Sequence, residues 1–493
     1  MTRRVGLASV QPWMMAVTVA LAMVLAWAFA LGSPDFPMDD AYIVQHAVAG
    51  LHDGVDARYG GSPLRGITSP LHVLLIWCLS LAMPVPWAQF VVAGGAFVMW
   101  VAGTVELARR EGVPWHGQCL LAGLSMLGGM IFYQAFNGLE TGLAMAVGAW
   151  ALTLFLDPAQ VRPWHAVMLG ILPFVRPELG LLSALLLLRH GVLGADGWRS
   201  MWMRGRAMLP GCVAGALLPL AFIWWRGEGV LPNTVMAKAY FFAEGCMPWD
   251  LRLARWWAAL RFFSMEFGLG WPCVGLLGLL VSRLRWVLLP YVAIFLWVYL
   301  DRLPGALFHN WHRYVYVLLP ALMAGWVALL TLPIRRMRFP FVSALVVAVL
   351  ACALLFWAGV LRLQGGVDFT RRELAGVSQW VASHVPERAT ILVHDAGHVS
   401  LVGRQHLVDV VGLKTPSSAR VHADYTWAQC SPRTSALGVI AQRSGAGYFV
   451  VFGEWDQVFH LTDNLRNAGW DVLRVDAERG DTAYRVYRIQ PRH

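Results

Sequence analysis

Apolar residues occur along the first part of the chain in blocks of helix length, separated by short polar loops, and this pattern stops near Leu363. An α-helix needs roughly twenty apolar residues to cross a bilayer. The pattern predicts a polytopic all-α membrane domain over residues 1–363 with about ten to thirteen transmembrane helices. Three blocks, at 70–83, 164–174 and 179–188, are shorter than a full crossing. We therefore expect a re-entrant segment or one bent helix among them.

Residues 364–493 follow a different pattern, in which short apolar runs alternate with polar turns. Helical spacing extends from Leu374 to Val385. Four further runs have the length and alternation of β-strands, at residues 390–394, 407–411, 448–452 and 484–489. Short strands separated by helices predict a small extracytoplasmic α/β domain, which we expect to pack over the outer ends of the membrane helices.

Composition supports this class, since 58% of the residues are hydrophobic and only 14% are charged. The net charge of +10 does not indicate a nucleic-acid partner, because many arginines lie in short loops between apolar blocks. Basic loops at 189–206, 283–285 and 335–338 are predicted to be cytoplasmic by the positive-inside rule. The sequence thus predicts a multi-pass protein of the bacterial inner (cytoplasmic) membrane whose C-terminal domain is periplasmic.

The first polar loop, residues 32–69, contains the candidate catalytic residues Asp39 and Asp40 directly after the first apolar block. Helical spacing over 41–51 predicts an amphipathic helix at the membrane interface, with one of the two acids as its N-cap. The same pair also suits general base catalysis, since one carboxylate can accept a proton from a hydroxyl while the other orients it or shifts its pKa. Both interpretations can hold together.

Six short motifs interrupt the apolar blocks in order, namely Asp39-Asp40-Ala41-Tyr42-Ile43, Thr68-Ser69-Pro70-Leu71, Gly138-Leu139-Glu140-Thr141, Arg176-Pro177-Glu178, Leu231-Pro232-Asn233-Thr234 with Ala237-Lys238, and Arg313-Tyr314. In these motifs the chain resembles the GT-C fold membrane glycosyltransferases, nearest to the arabinofuranosyltransferase-like branch that uses polyprenyl-phosphate sugars. The resemblance covers nearly the whole chain, including Asp395-Ala396-Gly397 and Val411-Gly412-Leu413 in the tail.

The resemblance implies transfer of a sugar, with arabinofuranose favoured, from a polyprenyl-phosphate donor to a cell-envelope glycan, lipid or protein on the outer face of the bilayer. Asp39 or Asp40 would be the general base of a single displacement. Negative charge returns to the lipid phosphate in this reaction, so cations must bind it. The candidates are Arg176, Lys238 and Arg313, with Arg58 and Arg65 behind them. Candidate substrate contacts are Tyr42, His46, Thr68, Ser69, Glu140, Glu178, Asn233, His309 and His312.

Each of these residues also has an ordinary structural explanation. Arg176 could form an internal ion pair with Glu140 or Glu178, and Arg313 could be an interfacial anchor. Capping or turn roles would suit Thr68, Ser69, Glu140 and Asn233, and Lys238 could be a solvated side chain. The histidines have no recognisable set of metal-ligand companions, so no metal site or cofactor is predicted, although a divalent cation stays open if Asp39, Asp40 and Glu140 meet.

The seven cysteines show neither CxxC nor metal-ligand spacing, so the sequence indicates no disulfide framework and no zinc site. Two other functional classes remain open. A polymerase or ligase of lipid-linked glycans would also act on the outer face of the membrane. A transporter or flippase would place charged residues along a midplane pathway between two related halves, whereas here the charges gather towards one face and no internal repeat is visible.

Overall fold

The computed structural model describes residues 12–192, 197–226, 233–268, 270–431 and 434–492. The part that precedes the sheet is helical, and its helices are α1 (Pro12–Leu31), α2 (Asp40–Asp53), α3 (Pro70–Ser80), α4 (Val85–Arg110), α5 (Trp115–Leu127), α6 (Ile131–Ala135), α7 (Thr141–Leu154), α8 (Ala166–Val175), α9 (Pro177–Val192), α10 (Trp198–Arg226), α11 (Thr234–Phe242), α12 (Trp249–Phe262), α13 (Trp271–Gly278), α14 (Arg285–Arg302), α15 (His309–His312), α16 (Leu319–Leu330), α17 (Arg335–Phe369) and α18 (Ala375–His384).

Four helices in the described part of the chain are long and apolar enough to cross a membrane, or five if the bent pair formed by 285–302 and 304–312 is one span. Five other apolar helices have only 10 to 17 residues. Polar and proline residues explain some of the shortening, since the extended residue Arg176 ends α8 and Pro177 begins α9. The structure therefore supports a membrane protein, while the predicted ten to thirteen crossings stay a prediction.

The ends of the helix bundle differ in their charged residues. One end brings together several arginines. Arg189 and Arg283, which are predicted to be cytoplasmic, contact the Phe155 carbonyl (Nη1, 2.8 Å) and Glu111 Oε2 (Nε, 3.3 Å). Arg110 Nη1 contacts the Thr153 carbonyl at the same end (3.2 Å). Glu140, at the opposite end of α7, lies with Arg176 and Asp40 at the other end of the bundle. We call this second end the site end.

Helix α2 forms where the spacing predicts a helix, but its environment differs from the prediction. Almost every residue from Ala41 to Leu51 is buried. Ile43 packs into the core of the C-terminal domain (residues 364–493), while Val44 and Ala47 pack with α3. The prediction of an amphipathic helix at the membrane interface is wrong, because both faces of α2 are covered by protein.

The C-terminal domain contains β1 (Thr390–Val393), α19 (His398–Leu401), β2 (His406–Asp409), α20 (Pro416–His422), α21 (Ala436–Ser444), β3 (Tyr448–Phe452), α22 (Gly453–Phe459), α23 (Leu461–Asn467), β4 (Trp470–Arg474) and β5 (Tyr484–Pro491). The strand order is β2-β1-β3-β5-β4, with β1 parallel to β2 and β3. Strand β5 runs antiparallel to β3 and β4. The four predicted strands are confirmed. The sequence did not predict the edge strand β4, whose five residues include two charged ones.

The predicted boundary after residue 363 falls inside a helix. Residues 336–384 form one continuous helical segment that runs from the membrane part into the C-terminal domain. The core of that domain also includes Tyr59 from the first loop (residues 32–69) and Ala237 and Phe241 from α11. The C-terminal domain is therefore packed directly onto the helices that carry the predicted site residues.

Cys246 and Cys430 form a disulfide, with 5.6 Å between their Cα atoms, so the prediction of no disulfide framework is wrong. The bond joins the segment after α11 to the C-terminal domain. The two cysteines are 184 residues apart in sequence, and sequence spacing gives no signal for a pair formed by folding at that separation.

We predict that Cys246→Ser or Cys430→Ser lowers the unfolding temperature of the detergent-solubilised protein, because loss of a structural disulfide costs about 2–4 kcal/mol. Mass spectrometry of non-reduced peptides should find the two cysteines linked. Cys273, a free and exposed cysteine, provides the matched control through Cys273→Ser. Wild-type stability of both disulfide variants would contradict this prediction.

Candidate functional site

Asp40, the first residue of α2, lines a small polar cavity of about 50 Å³ at the site end. Its Oδ2 atom accepts hydrogen bonds from Asn310 Nδ2 (3.2 Å) and from Arg313 Nη1 (3.2 Å). His309 Nε2 lies 3.9 Å from the same oxygen. Within the described ranges, Oδ1 of Asp40 has no hydrogen-bond donor from the protein. A carboxylate held through one oxygen can accept a proton on the other.

The charges around Asp40 determine its protonation. Burial alone would raise its pKa, but the His309 imidazole and the positive charges of Lys238 and Arg313 outweigh burial. Together they hold the pKa of Asp40 well below its ordinary value. Asp40 is therefore an ionised carboxylate at neutral pH, which is the protonation state that a general base requires.

Asn310 is brought to Asp40 by an unusual backbone turn. Asn310, Trp311 and His312 have φ angles of 49°, 57° and 64°, in the left-handed region that is costly for bulky residues. The buried amide of Gln134 holds this turn, since its Nε2 donates to the carbonyls of Asn310 (2.9 Å) and Trp311 (2.8 Å). Strained backbone of this kind persists only where surrounding structure fixes it, and it is concentrated at functional sites.

Two cations converge on one phenol oxygen beside Asp40. Lys238 Nζ, on α11, donates to the Tyr314 hydroxyl (3.1 Å), and Arg313 Nη2 donates to the same oxygen (3.3 Å). The guanidinium of Arg313 also lies 5.0 Å from the centre of the Tyr314 ring. Within the described residues, Lys238 has no carboxylate within 4.0 Å. Its charge is therefore available to an anionic ligand.

Asp39 makes different contacts from its neighbour Asp40. Its Oδ2 accepts the Gly397 N–H and its Oδ1 accepts the His398 N–H, both at 2.7 Å. Asp39 stands at the N-cap position of α2, as predicted, but among the described residues its side chain makes no capping bond to the helix. Burial and the nearby Asp395 raise the pKa of Asp39, against the lowering effect of the two N–H groups. Asp39 thus attaches the start of α2 to the C-terminal domain.

Arg176 forms the internal ion pairs that were the alternative to phosphate binding. Its Nη1 lies 2.9 Å from Glu140 Oε1 and its Nη2 lies 2.8 Å from Glu178 Oε1. The Tyr299 hydroxyl donates to the same Glu178 oxygen (2.8 Å). The side chain of Arg176 is only 1% exposed, and its guanidinium lies 4.9 Å from the centre of the Tyr314 ring. Because Glu140 and Glu178 both pair with Arg176, this arginine has a structural role in the protein without a bound ligand.

An apolar cavity of about 410 Å³ adjoins the polar cavity. Aliphatic and aromatic side chains contribute much of its lining, including Leu181, Ile294, Phe295, Val298 and Leu303. Five residues line both cavities, namely Thr68, Glu140, Thr234, Lys238 and Arg313. Lys238 and Arg313 therefore lie where the apolar cavity meets the polar cavity that Asp40 lines.

Several other predicted residues lie close to Asp40. Thr68 and Ser69 line the polar cavity, and the Thr68 hydroxyl contacts the Thr234 hydroxyl at 3.0 Å. Ser69 stands at the N-cap position of α3 but makes no capping bond. The capping interpretation of Ser69 is therefore wrong, and its hydroxyl is buried without a partner.

The remaining predicted residues make structural contacts away from the two cavities. The Tyr42 hydroxyl bonds with the backbone of Phe36, and His46 bonds with Asp56 (2.9 Å). Arg58 donates to the carbonyls of Val399 and Val402, and Asn233 donates to the Gly412 carbonyl (2.7 Å). His312 packs against Phe262. Arg65 lines a separate cavity. Leu231 and Pro232 of the fifth motif lie outside the described residues. The structure does not bring these side chains to Asp40, and their roles in substrate binding stay predictions.

Three site residues were not predicted as such. Asn310 and Tyr314 adjoin the predicted His309 and Arg313, so their position beside a motif was the available signal. Gln134 had no signal, because its contact with the turn spans 176 residues. Among the described residues, no group of three or more His, Cys, Asp or Glu side chains is placed to hold a metal ion.

The fold and site define a membrane protein with a charged site at one end of its helix bundle. Residues 365–487 match the model of a domain of unknown function, DUF8728. No curated protein matches the chain. Similar solved structures include three of the arabinofuranosyltransferase AftD from Mycobacteria.

The first AftD structure is 16% identical, with a TM-score of 0.48, and the match covers 96% of this chain and 39% of AftD. Two classes of an AftD mutant give 16% and 15% identity, TM-scores of 0.48 and 0.46, and coverage of 96% of this chain and 41% of theirs. The chain thus spans about two fifths of the length of AftD. The function is argued below from the site.

We predict that Arg176→Met strongly destabilises the protein, because it leaves Glu140 and Glu178 buried without their cation, and breaking a buried pair costs about 3–5 kcal/mol. The measurement is the unfolding temperature in detergent. Arg109→Met is the matched control, since Arg109 is 53% exposed in its pair with Glu106 and an exposed pair contributes at most about 1 kcal/mol. Equal effects of the two substitutions would contradict a buried triad.

Proposed function

We propose that the protein is a GT-C type membrane glycosyltransferase that transfers a sugar from a polyprenyl-phosphate donor to a hydroxyl group of a cell-envelope acceptor. The observation that carries the proposal is that Lys238 and Arg313 line both the apolar cavity and the cavity of Asp40. A lipid phosphate requires an apolar compartment for its chain and cations for its headgroup. The six ordered motifs of the sequence support the same class.

In the proposed reaction, the acceptor hydroxyl oxygen attacks the anomeric carbon of the sugar. The bond from that carbon to the phosphate oxygen breaks, and its electron pair stays with the lipid phosphate. Lys238 and Arg313 stabilise this charge, while Oδ1 of Asp40 accepts the proton of the hydroxyl. All atoms are accounted for by the donor, the acceptor and the carboxylate, and no nucleophilic residue is needed.

Donor binding would also activate the base. The cations that lower the pKa of Asp40 in the free protein are the ones proposed to bind the phosphate. A phosphate placed between them supplies negative charge, which raises the pKa of a nearby carboxylate. Asp40 would then be a stronger base in the donor complex than in the free protein. This coupling favours proton transfer only when the donor is in place.

We assign the site end to the outer face of a bacterial inner membrane, with the C-terminal domain in the periplasm. The Cys246–Cys430 disulfide supports this assignment, because disulfides persist in oxidising compartments. The cluster of arginines at the opposite end of the bundle supports it too, by the positive-inside rule. Arabinofuranose is the proposed sugar, on the resemblance of the motifs alone.

We predict that Asp40→Asn lowers the rate of transfer by about 10²–10⁴-fold, the usual contribution of a general base. Asp39→Asn should retain more activity, because one amide oxygen still accepts a backbone N–H. The assay would use purified protein with a panel of polyprenyl-phosphate pentose and hexose donors and follow release of the lipid phosphate. Transfer by Asp40→Asn at the wild-type rate would exclude Asp40 as the base.

We predict that Lys238→Met raises the KM for the lipid donor by about tenfold or more, because a charge-assisted bond to the phosphate is lost. The fold should be unaffected, since Lys238 is half-buried and donates to one phenol only. Arg261→Met, an exposed charge change outside both cavities, is the matched control. An unchanged donor KM in Lys238→Met would remove Lys238 from the phosphate site.

A further inference from the structure

A third cavity, of about 590 Å³, lies between the first loop and the C-terminal domain. Tyr59, Gly60 and Arg65 line it from the loop side, and residues of β2, α20 and α21 line it from the domain side. Within the described ranges, no residue of a membrane-length helix contributes to its lining. The cavity is separate from the two cavities assigned to the transfer reaction.

Three arginines, Arg65, Arg420 and Arg443, line this third cavity, and its described lining contains no Asp or Glu. His406 lines it as well. The hydroxyl groups of the lining belong to Thr415, Ser417, Ser418 and Ser444. Ser418 is 1% exposed, and its buried hydroxyl has no hydrogen-bond partner among the described residues. The wall therefore offers charged and neutral hydrogen-bond donors to an anionic, polyhydroxylated ligand.

Two adjacent stretches of chain separate the third cavity from the cavity of Asp40. Arg65 lines the third cavity while Gly66 lines the polar one, and Thr415 and Leu413 are divided in the same way. Gly66 has a φ of +84°, and a Cβ atom there would stand 3.2 Å from the Leu413 carbonyl oxygen. Gly66 and Leu413 thus pack closely between the two cavities, and a ligand in the third cavity lies beside the cavity of Asp40.

We propose that the third cavity binds an acidic glycan, a saccharide with carboxylate or phosphate groups, as the acceptor of the transfer. The acceptor role rests on the proposed function, whereas the binding itself does not. Arginines suit carboxylates and phosphates, and the interspersed hydroxyls suit sugar hydroxyls. An anionic lipid fits less well, because its chains would find no membrane-length helix at this cavity.

The test is calorimetric titration of the full chain in detergent micelles, without donor, using a hyaluronan hexasaccharide as the acidic probe and maltohexaose as the neutral one. We expect the acidic saccharide to bind, and the affinity of the neutral saccharide to be lower by at least about tenfold. The double variant Arg420→Gln and Arg443→Gln should weaken acidic binding by about tenfold, since each removes one charged donor. Salt at about 0.5 M should weaken it too.

The matched control is the double variant Arg388→Gln and Arg404→Gln, which removes two exposed arginines of the same domain outside the cavity. Both double variants should keep the wild-type unfolding temperature, because all four side chains are exposed. Equal binding of the two saccharides, or equal loss in the two double variants, would overturn the proposal. Binding to phosphatidylglycerol vesicles alone would overturn it as well, and would indicate a lipid surface.

Measuring both binding and transfer with the wild-type protein separates this inference from the proposed function. Acidic binding by a wild-type protein that transfers no sugar with any donor would contradict the transferase and retain the binding site. Normal transfer by a protein that does not bind the acidic saccharide would contradict the binding site and retain the transferase.

Discussion

The ion pair between Asp40 and Arg313 is the interaction on which the site depends. The two residues are 273 positions apart in sequence, yet their side chains meet at 3.2 Å. The side chain of Asp40 is 27% exposed, and a carboxylate that is partly withdrawn from water is costly unless it is paired and hydrogen-bonded. Asp40 thus requires Arg313, and the left-handed turn that precedes Arg313 requires Gln134 to hold it. Removing any of these contacts would leave charge or backbone groups buried without partners.

The adjacent acids Asp39 and Asp40 bind to different parts of the molecule. Asp39 bonds two N–H groups of the C-terminal domain, while Asp40 bonds the cations of the helix bundle. The start of α2 is therefore fixed between the two parts of the molecule. In the proposed reaction the C-terminal domain would help to bind the acceptor, while Asp40 supplies the base. The apolar cavity shares five residues with the polar cavity that Asp40 lines, and the third cavity is lined by neighbours of residues that line the polar one.

The sequence predicted the parts of the site that follow from local pattern. Asp39 and Asp40 were singled out as adjacent acids at the start of the first polar loop, and Lys238 and Arg313 were candidates because the family resemblance implies a phosphate leaving group that needs cations. The four regular strands were predicted because their alternation is local. The resemblance to a glycosyltransferase family added the expected roles, which the structure alone does not test.

The other features depend on contacts between distant segments. The different partners of Asp39 and Asp40 become visible only when α2 meets the C-terminal domain and the loop before α16. The disulfide between Cys246 and Cys430, and the contact of Gln134 with the turn at 310–312, join residues separated by 184 and more than 170 positions. The partners of Arg58, the carbonyls of Val399 and Val402, are more than 300 positions away and could not be read from local sequence.

The most direct test of the central claim is a cryo-electron microscopy structure of the protein in lipid nanodiscs with decaprenyl phosphate. The account predicts that the phosphate lies within hydrogen-bond distance of Lys238 and Arg313, that the first isoprene units occupy the apolar cavity, and that Asp40 faces the open side of the phosphate. A phosphate bound at the opposite end of the helix bundle, or one that contacts neither cation, would contradict it.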